Sequence, residues 1–212
     1  MIRDTLRDVP TSSEARCWRG ALAGLAFGGA LACSRGAPAP TQRAAPDLND
    51  VSAFAPFTDG TVLSYDTESD RAGRGVIVLQ VRRPRPELVE LDDGGHVERI
   101  YVSEQGLRYA TGGHWLKAPL REGACWAGRA GQVCITSVSE TVQVPAGELT
   151  GCVVTIERVE GVTDGARTRT VFCPGVGMAL LEVEGWAEDA PVRERAALRY
   201  AGPRVELNLP PP

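Results

Sequence analysis

The sequence predicts an all-β fold, a strongly curved antiparallel sheet that is half-barrel or sandwich-like and forms a single domain. Three observations predict it. Short segments rich in β-branched residues recur from Val51 onward, turn residues punctuate them (24 Gly and 15 Pro), and no stretch carries a sustained apolar period of 3.6 residues. A chain of 212 residues is enough for one such domain and too short for two large ones.

In chain order the expected strands lie in GTVLSYD (60–66), RGVIVLQV (74–81), HVERIYVSE (96–104), GQVCITSV (131–138), CVVTIERV (152–159), ARTRTVFC (166–173) and MALLEVEG (178–185). Asp92-Asp93-Gly94-Gly95 separates two apolar segments between Leu88 and Ile100 and reads as a hairpin turn, as does VTDG at 162–165. In CVVTIERV, Cys152, Val154 and Ile156 fall on one face and Val153, Thr155 and Glu157 on the other. One dry and one wet face is the expectation for an antiparallel sheet. A weak echo joins PFTDG (56–60) to PLREG (119–123), each followed three residues later by Leu63 or Trp126, and suggests two related sheet halves.

Charge narrows the partners. The formal net charge of −4 argues against nucleic acid, whose binders concentrate positive charge on one face. Lys117 is the only lysine, which we read as coding bias rather than an arginine-specific surface. The densest basic run, Arg82-Arg83-Pro84-Arg85, sits beside Glu87, Glu90 and Asp92 and reads as a solvated loop.

The first residues read as an address. In RCWRGALAGLAFGGALAC (16–33), two arginines precede an apolar stretch of twelve residues that ends in small side chains, the pattern of a secretory signal. As a helix that stretch would span about 18 Å, short of a hydrocarbon core of roughly 30 Å. The ending Ala30-Leu31-Ala32-Cys33 resembles the lipobox of bacterial lipoproteins, although Ala30 stands where that family prefers leucine. The resemblance implies lipid attachment at Cys33, and Ser34 after it implies sorting to the outer membrane. Residues 1–15 are acidic and polar; a later start or a long charged region accommodates them. The expected organisation is a signal peptide over 1–32, a lipidated terminus and Pro/Ala-rich linker over 33–50, the β-domain over 51–207 and a disordered tail over 208–212.

The strings PLREGACW (119–126), VPAGELTGC (144–152) and FCPGVGMALLEVEG (172–185) resemble, in order and spacing, a group of bacterial secreted and lipid-anchored β-domains of unknown function. The resemblance implies a curved antiparallel sheet and no established activity. Physically these motifs are turn chemistry. Pro145 interrupts a ladder and Gly147 supplies a positive φ, while Pro174-Gly175 suits a type II turn.

Four cysteines lie in the body: Cys125, Cys134, Cys152 and Cys173. An even count outside the cytosol suggests disulfides. Pairs Cys125–Cys134 and Cys152–Cys173 are preferred, the second tying the ends of one hairpin, with nested pairing (Cys125–Cys173, Cys134–Cys152) as the alternative. No C-x-x-C pair supports a metal site, and neither metal nor cofactor is expected. His96 and His114 are the only histidines, and no G-x-S-x-G elbow or phosphate loop accompanies them, so no catalytic residue is assigned. Trp115, Trp126 and Trp186 are candidates for a concave, ligand-facing surface that would hold an apolar molecule; filling the core is their competing role. The expected function is that of a non-enzymatic binding module in the bacterial cell envelope, held to the outer membrane by its N-terminal lipid. Its partner is expected to be an apolar small molecule or an envelope protein. The alternative is a structural protein that contacts an envelope protein, and a hydrolase is the remote third.

Overall fold

The computed structural model describes residues 47–159, 166–187 and 190–204, all within the compact unit of residues 43–212. The expected signal peptide, Cys33, most of the linker, the turn at 162–165 and the tail lie outside the described residues.

A single 3₁₀ turn, Val51–Phe54, precedes the first strand; the Asp50 carboxylate caps it by accepting from the Ser52 N–H at 2.9 Å. Strands β1 (Thr61–Ser69), β2 (Gly73–Arg85), β3 (Leu88–Asp92), β4 (Val97–Ser103), β5 (Gly106–Tyr109) and β6 (His114–Lys117) form one antiparallel meander. A second meander comprises β7 (Cys125–Ala127), β8 (Gly131–Val144), β9 (Gly147–Val159), β10 (Arg167–Cys173), β11 (Gly177–Ala187) and β12 (Ala190–Pro203). They join where β1 pairs with β12, giving the order β6-β5-β4-β3-β2-β1-β12-β11-β10-β9-β8-β7. The sheet is all-β, antiparallel and curled into a nearly closed barrel.

The sequence echo has a structural counterpart. Gly60 (φ 77°) and Gly123 (φ 80°) each occupy a turn at the entrance to a meander. The Gly60 N–H donates to Val81 of β2 at 3.0 Å and the Gly123 N–H to Ile135 of β8 at 2.9 Å. Three residues further on, Leu63 and Trp126 are both buried. The same turn therefore launches the first hairpin of each meander.

The two edges of the sheet meet without a ladder. The Trp126 indole Nε1–H on β7 donates to the His114 carbonyl on β6 at 3.0 Å. Arg129, in the β7–β8 turn, forms an ion pair with Glu98 of β4 at 2.5 Å and lies 5.3 Å from the centre of the Tyr109 ring. Gly113 has a φ of 77°, and a Cβ there would collide with the Gly128 carbonyl. Glycine is required at that crossing both by conformation and by space.

Two disulfides staple neighbouring strands. Cys125 and Cys134 are direct cross-strand partners that pin the three-residue edge strand β7 to β8. Cys152 and Cys173 join β9 to β10, both fully buried. The motif turns take their expected forms. Gly147 (φ 123°) starts β9 directly after the Pro145-Ala146 turn. Val176 N–H closes a turn onto Cys173 O at 3.2 Å, with Gly175 at φ 74°.

Three expectations change. β9 is not dry on one face and wet on the other, because Cys152, Val153, Val154 and Thr155 are all buried. The cause is the long β8–β9 hairpin, whose register shifts at three places along β8. Its tip folds back over the outer face of β10–β12. There the Ala146 N–H donates to Leu198 O at 2.9 Å, beside the register irregularity where Tyr65 pairs Leu198 and Ser64 pairs Tyr200. Leu180 and Ala197 are buried beneath it. The basic run at 82–85 is the end of β2 and not a loop. Arg82 pairs with Asp92 at 3.0 Å, and Arg83 donates its N–H to Asp59 at 2.7 Å. Finally, strands β5, β6, β7 and β12 were not expected from the sequence.

Two substitutions test the seam. Gly112→Ala, also at positive φ but facing open space, should cost about 1 kcal/mol. Gly113→Ala should cost about 3 kcal/mol or more, read as a drop in the denaturation midpoint at unchanged m-value. Replacing Cys152 and Cys173 together by alanine opens a link across 21 residues and should cost about 3 kcal/mol on the same measure.

Candidate functional site: a plugged interior and a charged outer face

The concave side of the sheet is occupied by the chain itself. Val51, Phe54 and Phe57, from the segment that leads into β1, are buried in the same core cluster as Tyr65, Ile100 and Phe172. Backbone bonds hold that segment in place: Leu120 N–H to Leu48 O at 2.8 Å and Gly175 N–H to Ala53 O at 2.7 Å. Trp115 is packed among these rings, 6.4 Å from Phe57 in a stacked arrangement and 5.2 Å from Phe172 edge-on. Tyr65 lies in the same interior and donates its hydroxyl to Met178 O at 3.0 Å; burial pushes its phenol pKa well above the usual value.

The three tryptophans therefore do not share a ligand-facing surface. Trp115 and Trp126 complete the core and the seam, while Trp186 is 54% exposed on β11. His96 is exposed in the β3–β4 turn, where its N–H and that of Gly95 donate to the Asp93 carboxylate and hold that acid's pKa below its usual value. His114 stands on the edge strand β6. Partial burial lowers its pKa, assisted by the nearby charges of Lys117 and Arg108. Among the described residues no group of His, Cys, Asp and Glu is arranged to hold a metal ion.

The outer face carries the ordered chemistry. Register pairs place Arg169 (β10), Glu182 (β11), Arg195 (β12), Glu68 (β1) and Arg74 (β2) in one cross-strand row. Arg169 contacts Glu182 at 2.9 Å and Glu140 of the folded-back hairpin at 3.5 Å. Glu182 also receives Arg195 at 3.6 Å, and Glu68 receives Arg74 at 3.2 Å. A second row runs Arg167–Glu184–Arg193, at 2.6 and 4.0 Å. Each exposed pair contributes little alone, about 0–1 kcal/mol, but alternation over five strands fixes which charge each strand edge presents. This row was not singled out in the sequence. Its signal is the period-two spacing of like charges in Arg167/Arg169, Glu182/Glu184 and Arg193/Arg195.

No family model and no curated protein matches the chain. Among solved structures it is similar to a proposed lipoprotein from Parabacteroides distasonis, at 12% identity over 72% of this chain and 99% of that one, with a TM-score of 0.43. It is also similar to a proposed exported protein with a YmcC-like fold from Bacteroides fragilis, at 11% identity over 68% of this chain and 96% of that one, with a TM-score of 0.46.

The lowered pKa of His114 has a signed consequence. The unfolded chain binds the proton first, near the usual value of about 6.5, so stability is fully present above that pH and is lost as the pH falls through it. Thermal melts between pH 7.5 and pH 5, roughly spanning that value, should show a downward slope that His114→Gln reduces.

Proposed function

We propose that this chain is an exported lipoprotein of the bacterial cell envelope, anchored through Cys33, whose β-domain acts by contact with an envelope protein rather than by catalysis or by enclosing an apolar molecule. The observation that carries the choice of partner is the plugged interior. Val51, Phe54 and Phe57 fill the concavity that an apolar ligand would need, so recognition falls to the outer surface and the strand edges. Export is supported by the signal-like segment at 16–33 and by two disulfides in the body, which persist in oxidising compartments. The linker then holds the module away from the bilayer. A single acyl chain gives only marginal attachment, whereas the several chains that a lipobox implies give a lasting one.

Fractionation of cells expressing the full chain tests the anchor. The native chain should sediment with membranes and release on detergent extraction, with the acyl mass on the N-terminal fragment beginning at Cys33. Cys33→Ala should shift most of the protein to the soluble fraction. An unmodified native chain in the cytosol with free body thiols would overturn the proposal.

A further inference from the structure

The edges of the sheet are not equally guarded. β6 has four residues, and β7 has three and is pinned by a disulfide. Beyond β7, β8 is bent by three register irregularities in its pairing with β9. Short edges and bulges are the usual protection against unwanted strand pairing.

β2 differs. It pairs with β1 from Gly73 to Gln80 in unbroken register, yet β3 pairs only with residues 80–82 and 85. Along 73–79 no described residue forms a ladder on the far side. Alternate residues there present N–H and C=O groups outward from an antiparallel pair. The side chains on this edge are Val76 (54% exposed), Ile77 (44%) and Val78 (50%), β-branched and without an acid among them.

We propose that residues 73–79 of β2 form a strand-addition site for an extended segment of another protein, with an acidic residue opposite Arg74 and β-branched apolar residues opposite Val76 and Val78. Charge decides the occupant. The outer row alternates Arg169, Glu182, Arg195, Glu68, Arg74 and stops at the open edge on an arginine whose side chain is 87% exposed. The next strand in that alternation supplies an acid. A second copy of this chain cannot, because a two-fold antiparallel pairing of GRGVIVLQ (73–80) places only arginine or an uncharged residue opposite Arg74. Main-chain bonds would supply affinity, and the row of Arg74, Val76 and Val78 would supply specificity.

This deepens the proposal of a contact module and is tested independently of the anchor. The probe is a short synthetic peptide that alternates threonine on one face with Val, Val and Glu on the other. Its control carries lysine in place of the glutamate. With detergent-solubilised full chain, the glutamate peptide should bind at least about tenfold more tightly than the lysine peptide. Amide exchange at 73–79 should slow on binding. Arg74→Glu should reverse the preference, and Val78→Lys should abolish binding of both peptides while leaving the melting curve unchanged. Equal affinity for the two peptides, no binding, a preference that survives Arg74→Glu, or a dimer of this chain that Val78→Lys dissolves would each overturn the strand site. A membrane-anchored chain that binds neither peptide would lose the strand site and keep the anchor.

Discussion

Twelve antiparallel strands that curl without pairing their ends leave two raw edges, and the architecture depends on how β6 and β7 are brought together. The solution is a crossing of two turns at Gly113 and Gly128, flanked by the Trp126–His114 hydrogen bond and the Arg129–Glu98 ion pair. Main-chain complementarity is absent there, so side chains and glycine backbone must close the curl. Once it is closed, the buried rings of both meanders share one core, and the segment before β1 has an enclosed place to dock.

That closure divides the molecule into a used inside and an available outside. Inside, the chain supplies its own filling. Outside, the β8–β9 hairpin covers part of β9–β12, and ordered charge covers the part beyond it. Protein surfaces act through edges as well as clefts, and residues 73–79 of β2 have no neighbouring strand on their far side among the described residues.

Much of the fold was legible because turn chemistry is local. Gly60, Gly123, Gly147 and Gly175 adopt positive φ at the turns their motifs indicate, and both cross-strand disulfides join cysteines at the ends of short hairpins. What was not legible is non-local. β12 reads APVRERAALRYAGP, with alanine and charge where β-branched residues would signal a strand; it is ordered by β1 and β11 on either side. β5, β6 and β7 are too short to show a period. The dry outer face of β9 could not be foreseen because its cover comes from a hairpin bent by register shifts, which no local pattern announces. Of the candidate site, the tryptophans were singled out, but what covers Trp115 and Trp126 comes from other segments, Phe57 and Phe172 for the first and His114 for the second.

The pairing of the first strand with the last sets an order of events. Thr61 lies opposite Pro203, so a polypeptide delivered from its N-terminus cannot complete the pairing of β1 until residue 203 has emerged. Until then one side of β1 is an unpaired, half-made surface. The arrangement makes β12 the keystone of the curl, since without it the two meanders lose the strand that joins them.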